Sequence, residues 1–252
     1  IPGADFCINP YVGCTHACRY CYARFMTKYT GHDEPWGEFV DVKVNAPEAL
    51  RRQLERRRKR GGSVLIGTVT DAYQPLEREL GLTRAVLEAL SGEGFDVSIL
   101  TKSDLVVRDV ETLRELGGCA VQMTITSLDD DVRAAFEPGA PSPARRLAAL
   151  RVLRDGGVRT SASVGPVLPG FTDLREVFEA VKNLVGGIRG ESLNVRAVDR
   201  PGFEAALKRH FPERAAAFRK AVASAAYWDE VAATFEDLCA AYDVPSQGFC
   251  LH

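Results

Sequence analysis

What this sequence lacks narrows it first. No run of about eighteen apolar residues occurs in its 252 positions, so no membrane-spanning helix is expected. Neither charge sign dominates. Lys and Arg number 32 against 34 Asp and Glu, a formal net charge of −2, which argues against a strongly basic nucleic-acid binder but leaves room for local patches. No repeat of solenoid period is present, and no signal peptide opens the chain. It begins at Ile1 and not at Met, so its natural start is expected upstream, and a targeting segment there is left open. With 46% hydrophobic and 26% charged residues it reads as one large globular protein, expected to be cytoplasmic and monomeric, with enough chain to bury a full α/β core.

Cysteine is scarce, seven in all, and unevenly placed. Cys7, Cys119, Cys239 and Cys250 share no metal-ligand spacing, and isolated thiols are most often small buried hydrophobes. Cys250 fits that reading least, in a tail that contains glycine. The other three crowd into "NPYVGCTHACRYCYARF" (9–25), where Cys14, Cys18 and Cys21 are spaced C-x3-C-x2-C. Three is the wrong number for disulfides, and a reducing compartment keeps thiols free. A zinc site would want a fourth Cys or His at a short spacing, and none follows. His16 lies inside the loop, but a residue between two ligands is not expected to turn inward as well. What remains is an iron–sulfur cluster held by three thiolates, with one iron open for chemistry.

Behind this loop, apolar runs alternate with amphipathic stretches. The strands expected are 6–13, 63–70, 96–101, 119–126, 158–168 and 192–198, with helices over 82–91, 105–116, 142–157 and 173–185. Near-continuous β-branched runs separated by helices imply parallel strands covered on both faces. Six such units wrap into a partial (β/α)6 TIM-like barrel or an open sheet, and either way ligands collect at the C-terminal ends of the strands. The cysteine loop follows the first strand, so it belongs to that rim. Residues 27–44 read as an irregular insertion with a short strand in "FVDVKV". After Arg200 the pattern turns helical, which gives a barrel over 1–200 and a helical C-terminal extension over 201–252. The basic run "RRQLERRRKR" (51–60) reads as a solvated helix face.

The cysteine loop, together with "GTVTDAYQPLE" (67–77), "ILTKS" (99–103) and "VLPGFTD" (167–173), resembles the radical S-adenosylmethionine superfamily and its spore photoproduct lyase-like branch. The resemblance spans Phe6 to Val198. It implies a [4Fe–4S] cluster on Cys14, Cys18 and Cys21 that carries S-adenosylmethionine on its open iron and cleaves it to a 5′-deoxyadenosyl radical. It implies Tyr20 beside the adenine, and Thr68, Thr70 and Asp71 near the methionyl amino group. Asp71 reads equally as the start of a turn. Lys102 corresponds to the lysine on the methionyl carboxylate. Arg145 or Arg146 could share that carboxylate, since a guanidinium suits bidentate binding. Ser127 would meet the ribose, and Val195 or Arg196 would offer backbone contacts to the adenine beside 163–170.

The resemblance also exposes a departure. The lyase returns a hydrogen atom to its substrate from a cysteine near the end of the second strand, and Gly67–Asp71 holds no thiol there. Cys250, Cys119, Tyr22 and Tyr73 are the other donors to consider, with Cys119 at the wrong end of the barrel. Three substrate classes are compatible: a nucleic-acid lesion, a nucleoside or sugar, or a peptide side chain. The tail lacks the cysteine set that peptide-modifying relatives use for auxiliary clusters, which favours one cluster and a small or nucleotide-like substrate. An external reductant of flavodoxin or ferredoxin type is implied. The competing readings are lesion repair, an iron–sulfur electron carrier without turnover, and a zinc-stabilised module that binds nucleic acid through the basic helix.

Overall fold

The structure, a computed structural model, describes residues 4–57 and 61–252. Strand β1 (Phe6–Ile8) leads into the cysteine loop, and a small antiparallel pair, β2 (Tyr11–Val12) with β3 (Asp41–Val42), brackets that loop. Helix α1 (Ala46–Arg56) and β4 (Gly62–Ile66) follow, then α2 (Glu77–Leu80), α3 (Leu82–Leu90) and β5 (Phe95–Thr101). Next come α4 (Val110–Glu115), β6 (Ala120–Thr124), α5 (Asp130–Phe136), α6 (Pro143–Asp155) and β7 (Arg159–Val167). The chain ends with α7 (Leu174–Val181), β8 (Ile188–Ser192), α8 (Arg200–His210), α9 (Ala215–Val222), α10 (Ala225–Tyr242) and β9 (Ser246–Cys250).

Seven strands form one parallel sheet in the order β1-β4-β5-β6-β7-β8-β9. This is the α/β, TIM-like partial barrel expected, and α8, α9 and α10 follow its β8 strand. Local signals start the helices. Ser142 Oγ caps α6 ahead of Pro143, and Asp173 caps α7 by accepting from the Glu176 N–H at 3.0 Å.

The strand faces correct one expectation. Val64, Ile66, Val97, Ile99, Val121, Met123 and Val164 turn outward and pack with Val86, Leu87, Leu90, Leu150, Leu153 and Phe178 of the helices in the main core. The alternate positions face the other way, because strand side chains alternate. They are polar or only partly covered: Ser98 and Arg189 are exposed, and Leu65, Leu100, Gln122 and Glu191 are half-buried. The strands are therefore covered by helices on one face only. Gln122 on β6 donates to Gln247 on β9 at 3.4 Å, across β7 and β8, so the sheet curls around this polar inner wall.

Other boundaries shift as well. The strand expected over 6–13 breaks after Ile8, where Tyr11 and Val12 pair with β3 instead. Residues 105–116 begin as a 3-10 segment and become α4 only at Val110. The sixth strand lies at Ile188–Ser192, leaving 193–198 as rim. Helix α5 falls in a stretch the apolar pattern left blank. After α10 the chain returns to the sheet, and β9 pairs with β8. Cys7 is exposed on β1, opposite Leu65 of β4, not a buried hydrophobe, whereas Cys119 and Cys239 are buried as expected. Of the basic run, 51–56 lie on α1 and Arg57 follows it, and 58–60 lie outside the described residues.

Candidate active site

The cysteine loop is fastened at several points before any ligand is considered. Gly13 adopts φ +92°, and a Cβ there would stand 2.3 Å from the Phe39 carbonyl oxygen, so only glycine fits between β2 and β3. Its own carbonyl accepts from Thr70 Oγ1 at 2.6 Å and from Gln74 Nε2 at 3.3 Å. The Arg19 N–H donates to the Phe136 carbonyl at 2.8 Å, and the Gly139 N–H donates to the His16 carbonyl at 3.0 Å, which ties the loop to the end of α5 and the turn after it. Cys14 is buried and Cys18 and Cys21 are half-buried. Burial pushes the Cys14 thiol up, and the Cys18 thiol to about 12, with the neighbouring thiols adding to the shift. Bare, they would hold their protons. A metal must displace those protons, which couples loading to proton release.

Asp71 is a hub. Its Oδ1 accepts from Thr101 Oγ1 at 2.7 Å and from the Tyr73 N–H at 2.9 Å. Its Oδ2 accepts from the Lys102 N–H at 2.8 Å and lies 3.3 Å from His16 Nδ1. Burial alone would raise this carboxyl, but the His16 ring and these hydrogen bonds outweigh it and hold Asp71 at about 2. The bond to Tyr73 N is the turn expected of Asp71. The remaining contacts tie the ends of β4 and β5 to the cysteine loop. His16 does turn inward, because Asp71 is there to receive it. It is 2% exposed, and its Nε2 is buried without a partner among the described residues.

A second buried network lies under Tyr20. The Tyr20 hydroxyl and Thr126 Oγ1 both donate to Glu137 Oε1, while Arg146 Nη2 pairs with Glu137 Oε2. Arg146 also donates to the Thr124 carbonyl at 3.1 Å and the Pro141 carbonyl at 3.0 Å. Burial opposes the Glu137 charge, but Arg146 and then Lys102 overcome it and hold the carboxyl at about 2. Nothing in the sequence patterns singled out Glu137, which sits at the end of the unanticipated α5.

Lys102 is the cation left over. Its Nζ lies 5.5 Å from the Tyr20 ring centroid and makes no ion pair among the described residues. Burial works against its charge, while Cys18 and Glu137 favour it and raise its pKa above the ordinary lysine value. Arg146 is already neutralised by Glu137. Arg145 is turned outward and pairs with Asp104 at 2.7 Å on the surface, so of the three expected cations only Lys102 is free at the loop.

Thr68 accepts from Asn9 Nδ2 at 2.8 Å, and Ser127 Oγ donates to the Phe171 carbonyl at 2.8 Å, so both hydroxyls brace the rim. Val195 packs half-buried against the cluster of Tyr20, Phe136, Phe203 and Val198. Tyr22 spans the mouth. Its hydroxyl donates to the Thr68 carbonyl, and burial followed by the charges of Cys21 and Glu191 pushes it up to about 12. Tyr73 is not at the rim but fully buried in the main core, with its ring centroid 6.0 Å from the Arg108 guanidinium carbon. Cys250 is not in a loose tail. It ends β9, in register with Glu191 at the C-terminal edge of the sheet.

A family model, Radical SAM superfamily, matches residues 8–184. The chain belongs to the radical SAM superfamily. Radical SAM enzymes use a [4Fe–4S] cluster and S-adenosylmethionine, and this chain is one of them. It is 33% identical over 252 residues to an uncharacterized protein of Methanocaldococcus jannaschii, covering 100% of this chain and 92% of that one. An uncharacterized protein of Mycobacterium tuberculosis is 33% identical over 226 residues, and 66% of its length is covered. The Radical SAM Nalpha-GlyT isomerase of Pseudomonas phage M6 is 27% identical over 68% of this chain and 35% of its own length. Among solved structures, spore photoproduct lyase superposes with TM-score 0.67 at 18% identity, over 98% of this chain and 77% of that one. Streptococcus suis SuiB bound to S-adenosylmethionine gives TM-score 0.58 at 12% identity, over 98% and 47%.

The donor set fits the cluster of this superfamily. By residue type three thiols on one fastened loop would serve as its ligands, although among the described residues no three Cys, His, Asp or Glu side chains already stand close enough to hold a metal, and the orphaned His16 Nε2 lies within the same buried loop.

Proposed function

We propose that this radical SAM enzyme abstracts a hydrogen atom from a small or nucleotide-like substrate held against the polar inner wall of the barrel. The observation that carries this reading is that wall itself. Ser98, Gln122, Arg189, Glu191 and Gln247 face an open concavity where a closed barrel would be filled by apolar side chains, and Tyr22 lies across its mouth. Cys14, Cys18 and Cys21 would hold the cluster, and Lys102 the methionyl carboxylate. Tyr20, clamped by Glu137, would flank the adenine. The bound cluster supplies the electron that cleaves S-adenosylmethionine. This chain's part is to position the cofactor and keep water from the radical. Fastening by Asp71, Thr70 and Gln74 does the first, and burial of the loop does the second.

Nucleoside chemistry is the class we favour. A spore photoproduct lyase has been solved with a dinucleoside spore photoproduct, and the phage relative is named for Nalpha-GlyT isomerisation. Arg189 and Glu191 side by side on β8, with the two glutamine amides, can pair with the donors and acceptors of a base or sugar. Tyr22 and Cys250 are the candidates for returning a hydrogen atom, since both lie at the C-terminal rim. Tyr73, sealed in the core, is not. A single chain in the cytoplasm, reduced by a separate carrier, completes the reading.

The test is deuterium transfer. Reconstituted, reduced enzyme would be incubated with S-adenosylmethionine and a panel of deuterated nucleosides and dinucleotides, and 5′-deoxyadenosine analysed by mass. Label arriving from a nucleoside supports the reading. Label arriving only from a peptide panel would replace it, and no 5′-deoxyadenosine from fully loaded enzyme would favour an electron carrier.

A further inference from the structure

The insertion over residues 27–44 holds one tryptophan, Trp36, against the cysteine loop. The Glu38 N–H donates to the Pro35 carbonyl at 3.0 Å, which closes a tight turn around Trp36 and Gly37. Gly37 adopts φ +105°, and a Cβ there would stand 2.7 Å from the Ala17 Cβ, so this turn rests directly on the loop between Cys14 and Cys18. The ring is fixed from its other side. Trp36 meets Phe39 edge-on at 6.0 Å, and Phe39 stacks on His32 at 4.1 Å. His32 Nε2 in turn lies 2.8 Å from Asp41 Oδ1, at the start of β3.

The indole faces Cys21. Burial pushes that thiol up, opposed by the Ala23 N–H, the Lys102 ammonium, the Trp36 indole N–H and the Arg24 N–H. Trp36 Nε1 is thus close enough to favour the charged form of Cys21. Yet it completes no hydrogen bond, and it is buried without a partner among the described residues. Packing does not explain this. Phenylalanine would fill the same space, whereas burying an indole N–H unpaired costs free energy. A protonated thiol is a weak acceptor and a thiolate a strong one, so a donor buried here has its use when Cys21 carries negative charge.

Building on Cys14, Cys18 and Cys21 as the cluster's ligands, we propose that the Trp36 indole N–H donates a hydrogen bond to the cluster-bound Cys21 thiolate and thereby raises the cluster's reduction potential. Hydrogen bonds to the sulfurs are among the means by which a protein sets that potential. The direction follows from charge. Reduction adds one electron and makes the sulfurs more negative, which strengthens the bond, so Trp36 favours the reduced cluster. Trp36 is therefore a positioning residue that acts through Cys21, and the insertion that carries it is part of the site.

The test needs no turnover. Reconstituted wild type, Trp36→Phe and Trp228→Phe are titrated anaerobically with dithionite and redox mediators, and the reduced cluster is followed by electron paramagnetic resonance. Trp228, the chain's other tryptophan, donates to the Val222 carbonyl at 3.0 Å and is the control. In iron-loaded Trp36→Phe, the ratio of reduced to oxidised cluster at a fixed solution potential should fall about three- to tenfold, the scale of one net hydrogen bond. Tenfold is about 59 mV in a one-electron couple. Trp228→Phe should match wild type. With the indole nitrogens isotopically labelled, the reduced cluster should show a nitrogen coupling that persists in Trp228→Phe and is lost in Trp36→Phe. Should Trp36→Phe fail to load, the coupling in Trp228→Phe decides, because Trp36 is then the only indole left. An unchanged or higher ratio in loaded Trp36→Phe, an equal fall in Trp228→Phe, or no indole coupling in wild type would overturn the inference. A wild-type protein that takes up no cluster, or a Cys21→Ala variant with the wild-type cluster spectrum, would instead overturn the ligand assignment, and this inference with it.

Discussion

Replacing Glu137 by alanine should be among the most damaging single changes in this protein. Its carboxylate is 3% exposed and Arg146 is 1% exposed, so neither charge can turn to water when the other is removed. Deleting one partner of such a pair leaves a buried, uncompensated charge, which costs about 3–5 kcal/mol. The Tyr20 hydroxyl also loses an acceptor but keeps Thr126 Oγ1 at 3.1 Å, so it adds little to that cost. For a chain of this size the expected fall in melting temperature is roughly 6–20 °C. Replacing the pair together, as Glu137→Met/Arg146→Met, should recover most of the loss, because apolar groups of similar volume often replace a buried ion pair at little cost. The assay is urea and thermal unfolding of the anaerobic protein for both singles and the double. The Tyr20 clamp should show separately, as weaker S-adenosylmethionine binding in the double variant even where stability returns. A Glu137→Ala cost below about 1 kcal/mol would refute the argument, since that is the scale of an exposed pair.

The remaining predictions concern the loop and its surroundings. Wild-type protein reconstituted anaerobically should hold about four irons per chain by the cubane stoichiometry, and a Cys14/Cys18/Cys21 triple alanine variant almost none by colorimetric assay. Lys102→Ala should weaken S-adenosylmethionine binding by about 1.5–3 kcal/mol, the range for a hydrogen bond to a charged group, with iron content retained. Unchanged affinity by titration calorimetry would remove Lys102 from the site. Glu137 is held at about 2 in the fold against an ordinary 4.5, so its stabilisation should be fully present above pH 4.5 and lost as pH falls toward 2. That part of the acid-unfolding profile should be missing from the Glu137→Met/Arg146→Met variant. Gly67–Asp71 carries no thiol, so reduced enzyme should convert little of a dinucleotide spore photoproduct to thymidylyl-thymidine. Rapid turnover would point to Cys250 as donor, a role that Cys250→Ala would then abolish.

Some of this protein is legible from sequence because the signals are local. Three thiols within eight positions share one loop, and the runs ending at Ile66 and Thr101 form the strands β4 and β5. The helix caps at Ser142 and Asp173 act over three residues, and Asp71 begins its own turn. The rest depended on distance along the chain. Tyr20 meets Glu137 across 117 residues, and His16 reaches an Asp71 that must first be placed by the ends of two strands. Neither contact leaves a trace in spacing, because a lone Glu after a short helix looks like any surface acid until Arg146 covers it. The choice among Lys102, Arg145 and Arg146 had the same character. All three are cations at the rim, and only packing decides which is already neutralised. Apolar runs told which strands are buried but not that the inner face stays open, since Ser98 and Gln122 are single polar residues inside otherwise apolar stretches and Arg189 lies before the strand expected at 192–198. Cys250 became part of the rim only because β9, five residues long and poor in β-branched residues, is held in place by β8 and α10 rather than by its own propensity.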